Sequence, residues 1–180
     1  MGNNKVTYGL EQVHIAFVDP LAAQQPAWSV PIAIPGAVKL TPAPQGQEST
    51  FYADNGLYWT HTTNNGYTAD LEMALFPDTV LKDMLGWFID DNGMLVEVSD
   101  GTPKEFALMG QIQGDAKNRR FVYYFCKANR PTKEHATKGE TVEPTTEKAS
   151  LVIRPLEVEI NGKKKNIVKG TMDLSDTNAA

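Results

Sequence analysis

The sequence predicts a mainly β protein: an antiparallel β-sandwich or barrel with one short flanking α-helix at about 78–85. Two observations carry the β assignment. Asn-Gly pairs stand at 55–56, 65–66, 92–93 and 161–162, each between apolar or alternating runs. Asn and Gly tolerate the positive φ of a type I′ turn, so each pair reads as a hairpin. Between Tyr67 and Leu75 apolar and polar residues alternate without a break, which is the period of a strand with one buried face. A third observation limits the helix content. Only "PDTVLKDMLG", 77–86, spaces its apolar residues as a helix does.

The elements follow in order. Thr50–Asp54 and Leu57–Thr63 flank the first Asn-Gly pair, and Tyr67–Leu75 follows the second. On that strand Tyr67, Ala69, Leu71, Met73 and Leu75 point one way, with Thr68, Asp70, Glu72 and Ala74 on the other face. Pro77 and Asp78 suit a helix start and Gly86 its end, with Val80, Leu81, Met84, Leu85 and then Phe88 at helical spacing. Two turns are enough to plug one open end of a β-sandwich. Trp87–Asp90 and Met94–Val98 flank the third pair, and "KEFALMGQIQ" continues the alternation through Phe106, Leu108 and Ile112. "FVYYFC", 121–126, is apolar on both faces. It is either a central strand covered on each side or one whose outer face meets another subunit. Pro155 interrupts "SLVIRPLEVEI", as at an edge strand with a bulge or kink. The last pair lies between Leu156–Ile160 and Asn166–Met172. Two long polar segments, 41–50 and 130–148, read as loops that serve binding or stay disordered, and 173–180 reads as a flexible tail after a single 1–172 domain.

At 180 residues one domain can bury a sizeable core, and the charge of −5 argues against a nucleic-acid footprint, which needs basic groups to neutralise phosphates. The single cysteine, Cys126, permits no internal disulfide and fits a reducing compartment. "MGNNKVTYGLEQ" has no apolar core or cleavage site, and Val6 stands where a myristoylation signal has Ser or Thr. No apolar run has the length of a membrane span. These features predict a soluble protein made inside a cell.

Chemistry is sparse. His14, His61 and His135 are far apart and form no metal-binding spacing. "DDNG", 90–93, resembles part of a calcium loop, but the loop's first and twelfth positions fall on Phe88 and Ser99, so a hairpin turn is expected. Cys126 lies in a strand that predicts burial, which raises a thiol pKa and makes it inert. "KNRR", 117–120, and "KKK", 163–165, read as solvated turns. Asp70 and Glu72 share a strand face where a glycosidase could keep an acid and a base, although a solvent-facing stripe is the simpler account. No catalytic, cofactor-binding or metal-binding residue is expected. The sequence therefore predicts a non-enzymatic β domain.

The ordered set "AIPGAVKLTPAPQGQESTFYADNGLYW" (33–59), "NNGYTADLEMALFPD" (64–78), "LKDMLGW", "DNGMLVEV", "PKEFALMGQIQGD" and "ANRPTKEHATKGETVEP" resembles the major tail proteins of long-tailed phages, over roughly residues 5 to 155. That resemblance implies a virion subunit, made in a bacterial cytoplasm, that forms hexameric rings. The rings stack into the tail tube through which the genome is ejected. It implies as partners further copies of itself and the tape measure, tail terminator and distal tail proteins, with DNA passing through unbound. On this reading Pro44, Gln45, Gln47 and Glu48 form the contact between rings, and Asp70 and Glu72 face the lumen. The alternative is a non-enzymatic binding module of a phage or cell surface, with Tyr58, Trp59 and Tyr67 as platforms for sugar or protein.

Overall fold

The computed structural model describes residues 6–21, 26–115, 117–137 and 144–174. The chain forms fifteen strands and one helix among them: β1 Leu10–Phe17, β2 Ile32–Ala33, β3 Ala37–Pro44, β4 Glu48–Ala53, β5 Gly56–Thr62, β6 Tyr67–Met73 and α1 Asp78–Leu85. There follow β7 Phe88–Ile89, β8 Leu95–Val96, β9 Phe106–Ile112, β10 Arg120–Ala128, β11 Thr132–Lys133, β12 Glu147–Ile153, β13 Leu156–Ile160, β14 Lys163–Ile167 and β15 Lys169–Met172. The expected class, mainly β and antiparallel with one short helix, is what the chain adopts. The main sheet runs β2-β1-β9-β10-β12-β6-β3, with β11 beside β12 and β15 beside β10.

Alternation builds the walls. In β6 the buried residues are Ala69, Leu71 and Met73; in β12 they are Glu147, Ala149, Leu151 and Ile153. The two strands pair over seven positions, from Tyr67↔Ile153 to Met73↔Glu147, so their buried faces coincide. The alternation ends at Met73, because the chain turns toward the helix and leaves Leu75 64% exposed. β10 lies inside the sheet, with β9 along one edge and β15 and then β12 along the other, but it is not covered on both faces: Phe121, Tyr123 and Phe125 are buried, whereas Val122 and Tyr124 on the outer face are half-buried. α1 starts after Pro77 and stops at Gly86, whose φ of 73° is left-handed, and its Val80, Leu81, Met84 and Leu85 join the core of the sheet. A Cβ on Gly86 would lie 2.5 Å from the backbone nitrogen of Thr102, so only glycine fits. Phe88 does not extend the helical stripe; it begins β7 and is 45% exposed. The buried Glu147 carboxylate accepts the Phe76 amide at 3.1 Å and pairs with Lys133 at 2.8 Å, which ties the approach to α1 onto the sheet.

Several expectations need correction. The segment 41–50 is not a loop: β3 runs to Pro44 and β4 starts at Glu48. Pro42 and Pro44 are tolerated because β3 ends the strand order, so alternate N–H positions face an open edge. Within 130–148, Thr132–Lys133 and Glu147–Lys148 are strand residues that pair with each other, while 138–143 lie outside the described residues. Pro155 does not kink a continuing strand but separates β12 from β13, which pairs only with β14 among the described residues. Of the proposed tail, 175–180 lie outside the described residues. Among the Asn-Gly pairs, Asn161 and Gly162 (φ 53° and 70°) form the central pair of a two-residue turn. At the first site the turn is shifted to Asp54 and Asn55 (φ 50° and 63°), because a bulge at Tyr58 displaces the register by one. Asn65-Gly66 closes no hairpin; it carries the chain from β5 into β6.

Leu81 is fully buried on α1, so Leu81→Ala is expected to cost roughly 2–5 kcal/mol of unfolding free energy in a urea titration. A loss below about 1 kcal/mol would show that the helix does not complete the core.

Candidate functional site

The most conspicuous surface is a β-hairpin arm. β3 pairs with β6 at one edge of the main sheet, the wall from which the arm leaves, and beyond it the Gln45 amide donates to the Gly66 carbonyl, the Asn65 amide to Gln45 and the Thr63 amide to Gln47. The ladder resumes as β4 with β5. Residues 37–73 therefore make one long antiparallel ribbon, half of it wall and half projecting from the wall by about 20 Å. Every residue of β5 is exposed, and so is every residue of β4 except Ala53.

The arm is aromatic where a free strand pair would be expected to be polar. Phe51, Tyr52, Leu57, Tyr58 and Trp59 are each more than half exposed. Phe51 lies opposite Trp59 and meets the Tyr58 ring edge-on at 6.4 Å, while Trp59 stacks on His61 at 5.6 Å. These contacts order the rings without covering them. Phe51, Tyr58 and Trp59 gather on one face of the ribbon and Tyr52 and Leu57 pair on the other, so both faces expose large apolar side chains of the kind that marks an interaction site.

The predicted inter-ring residues Pro44, Gln45, Gln47 and Glu48 lie at the neck of this arm, all exposed. Their main chain is engaged by 62–67, and Gln45 Nε2 also donates to Thr68 Oγ1 at 3.0 Å. Sequence reasoning named Tyr58 and Trp59 of this tip as platforms but passed over Phe51, Tyr52 and Leu57 as turn-flanking strand. Their signal was present in "FYADNGLYW", which is apolar on both sides of the turn.

Asp70 and Glu72 sit side by side on the outer face of β6. Ser150 Oγ donates to Asp70 at 2.9 Å and Lys148 Nζ lies 3.2 Å from it; Thr146 Oγ1 donates to Glu72 at 2.6 Å. The Ser150 and Lys148 donors hold the Asp70 carboxyl below its usual range. Lys39 stands in register with Glu72 and Lys148 on its other side, so the stripe alternates in sign rather than being uniformly acidic. Tyr58 and Trp59 are on the arm, whereas Tyr67 packs edge-on against Tyr123 at 5.6 Å in the wall. The three proposed platforms do not converge.

The other candidates are placed as follows. Asp90 closes the β7–β8 turn by accepting the amides of Met94 at 2.8 Å and Asn92 at 2.9 Å, and these donors lower its pKa. His14 Nδ1 is 2.7 Å from the Gln12 carbonyl, and His135 is exposed. In the "KNRR" turn the buried Asp115 carboxylate accepts the amides of Lys117 and Arg119 and pairs with the Arg119 guanidinium, while Arg120 opens β10. Lys163, Lys164 and Lys165 are on β14, with Lys164 paired to Glu157. Among the described residues no group of three or more His, Cys, Asp or Glu is placed to hold a metal ion. No described helix is long and apolar enough to cross a membrane.

Cys126 is 1% exposed, as its strand predicts, and burial pushes its thiol up to about 12. Tyr123 beside it is also pushed up to about 12, by burial first and then by Tyr67 and Cys126. Both groups have folded pKa values above their ordinary 9.0 and 10.0, so the stability they confer is complete below about pH 9 and is lost as pH rises toward 12. The urea midpoint is expected to fall over that window, with a shallower fall in Cys126→Ala. Native labelling of Cys126 by a thiol reagent at pH 8 is expected to be slower than in the unfolded chain by roughly a thousandfold, the opening penalty of a stable core. Prompt stoichiometric labelling would contradict the burial.

No protein-family profile matches the chain, and no curated protein matches it significantly.

Proposed function

We propose that this protein is a self-assembling structural subunit, the building block of a phage tail tube of stacked rings through which DNA leaves the capsid. The observation that carries the proposal is the β4–β5 arm, whose five exposed apolar side chains gain nothing in a lone subunit and are covered once copies associate. The resemblance of residues 5–155 to major tail proteins supplies the ring and tube geometry. The polar β6 face, where Asp70 and Glu72 alternate with Lys39 and Lys148, is assigned to the bore, because a stripe on a well-packed strand has to meet water. Alternating signs hold passing phosphates less than a basic wall would. The same exposed Tyr58 and Trp59 support a second reading, a monomeric module that grips a sugar or protein.

Negative-stain microscopy over a concentration series separates the two. Rings or tubes are expected from the purified chain, and a persistent monomer at the highest concentration would sink the tube reading. Replacing 47–62 with a Gly-Ser bridge is expected to leave the wall folded, with a thermal midpoint within a few degrees of the parent, and to abolish assembly. A density map of an assembled tube with Asp70 and Glu72 on its outer surface would overturn their assignment to the bore.

A further inference from the structure

Away from the arm, the outer face of β1, β9, β10 and β15 carries a groove of about 490 Å³. Met109, Val122, Tyr124 and Met172 supply its apolar surface, and Pro31 stands at one side of it. Trp28 donates its indole N–H to the Tyr124 carbonyl at 3.2 Å and packs on that ring, which fixes the neighbouring segment against the sheet. Met172 is 51% exposed in the single chain, so the groove is open. Gly170 keeps it open: a Cβ there would lie 2.6 Å from the Tyr124 hydroxyl and 3.0 Å from Val122.

Charge distinguishes the groove from the arm. Arg120 is the one formally charged residue lining the groove, and its guanidinium meets the uncharged side-chain oxygens of Gln111 at 3.1 Å and Gln12 at 3.4 Å. The arm, 48–62, carries two formal charges, on Glu48 and Asp54, both negative. One surface is apolar with a cation, the other apolar with two anions, and the chain holds them on different elements.

We infer that the groove over β1, β9, β10 and β15 receives the β4–β5 arm of a second copy of this chain. This rests on the self-assembly reading and adds the receiving surface to it. Since arm and groove are different patches, the joint is heterologous: each subunit uses its arm on one neighbour and its groove on another, which generates rings or filaments rather than closed pairs. One face of the arm, Phe51, Tyr58 and Trp59, covers on the order of 350 Å² of side-chain surface when docked, against roughly 800 Å² per partner in a standard interface. A single joint is therefore weak, and repetition of the joint holds the assembly together.

Engineered cysteines test this directly, because the native Cys126 is buried. Tyr58→Cys on the arm and Met172→Cys in the groove are both at exposed positions, and their folding is checked by circular dichroism. When the two variants are mixed and gently oxidised, the mixed disulfide dimer is expected to exceed either homodimer at least tenfold. Collisional cross-linking gives the mixed form only twice each homodimer; that ratio, or a dominant homodimer, overturns the inference. Met172→Glu is the independent check, with Met109→Glu in its place if the first fails to fold. Either is expected to raise the concentration needed for assembly at least tenfold. Tubes growing as readily as the parent's would remove the groove and leave the tube reading standing. A parent that never assembles and cross-links only at the collisional ratio would remove both.

Discussion

The seven-residue ladder between β6 and β12 fixes the rest of the molecule. Both strands alternate strictly, so a slip of one residue would move Ala69, Leu71 and Met73 to water and Asp70 and Glu72 into the core. With the register held, β12 hands the sheet on to β10 and β9, while β6 hands it on to β3 and thus sets the direction in which the arm leaves the wall. Met73 and Glu147 close the ladder at the end where α1 packs, and the Glu147 carboxylate there binds the main chain at Phe76. One polar residue on an otherwise apolar face is acceptable because both its oxygens have partners.

The arm is the least economical part of this design. A free two-stranded hairpin is at best marginally stable in water. This one holds because it continues a ladder already anchored on the wall, through Gln45, Gln47, Thr63 and Gly66. Cross-strand ring contacts such as Phe51 with Tyr58 add order of the kind that aromatic pairs supply. Threonines at 50, 60 and 62 keep its remaining surface hydrated. The outcome is a rigid projection that presents apolar side chains at little further entropic cost, as a preformed contact surface requires.

Sequence reasoning recovered the parts governed by local chemistry. Alternation placed β6, the apolar run 121–126 marked β10 as a strand with little polar surface, and Pro77 and Gly86 bounded α1 within a residue. It failed where tertiary position overrides composition. Pro42 and Pro44 imply a loop unless the strand is known to lie at an edge, and edge position is set by β6 from almost thirty residues away. Asn65-Gly66 looks like a hairpin turn, yet Gly66 is required because a side chain there would collide with the Ile153 carbonyl, a neighbour no local window contains. For the candidate surfaces, the acidic pair on β6 was legible from period alone. The compensating Lys39 and Lys148 were not, since they come from flanking strands, and the groove draws on four strands distant in sequence.

The groove has a further consequence for the timing of events during synthesis. The arm's own contacts lie within 48–62, at short sequence separations that close in microseconds, and they are held once the ladder at 37–45 and 63–73 anchors them. The groove needs β1 paired to β9 across almost a hundred residues, and its last wall, β15, is made of residues 169–172. Long-range pairings of that kind form late. A chain still emerging from the ribosome thus displays its apolar hairpin well before any surface of its own kind exists to receive it. On the proposed assembly, association between copies would be confined to finished chains, and in the interval the exposed hairpin is the segment most dependent on being kept apart from its neighbours.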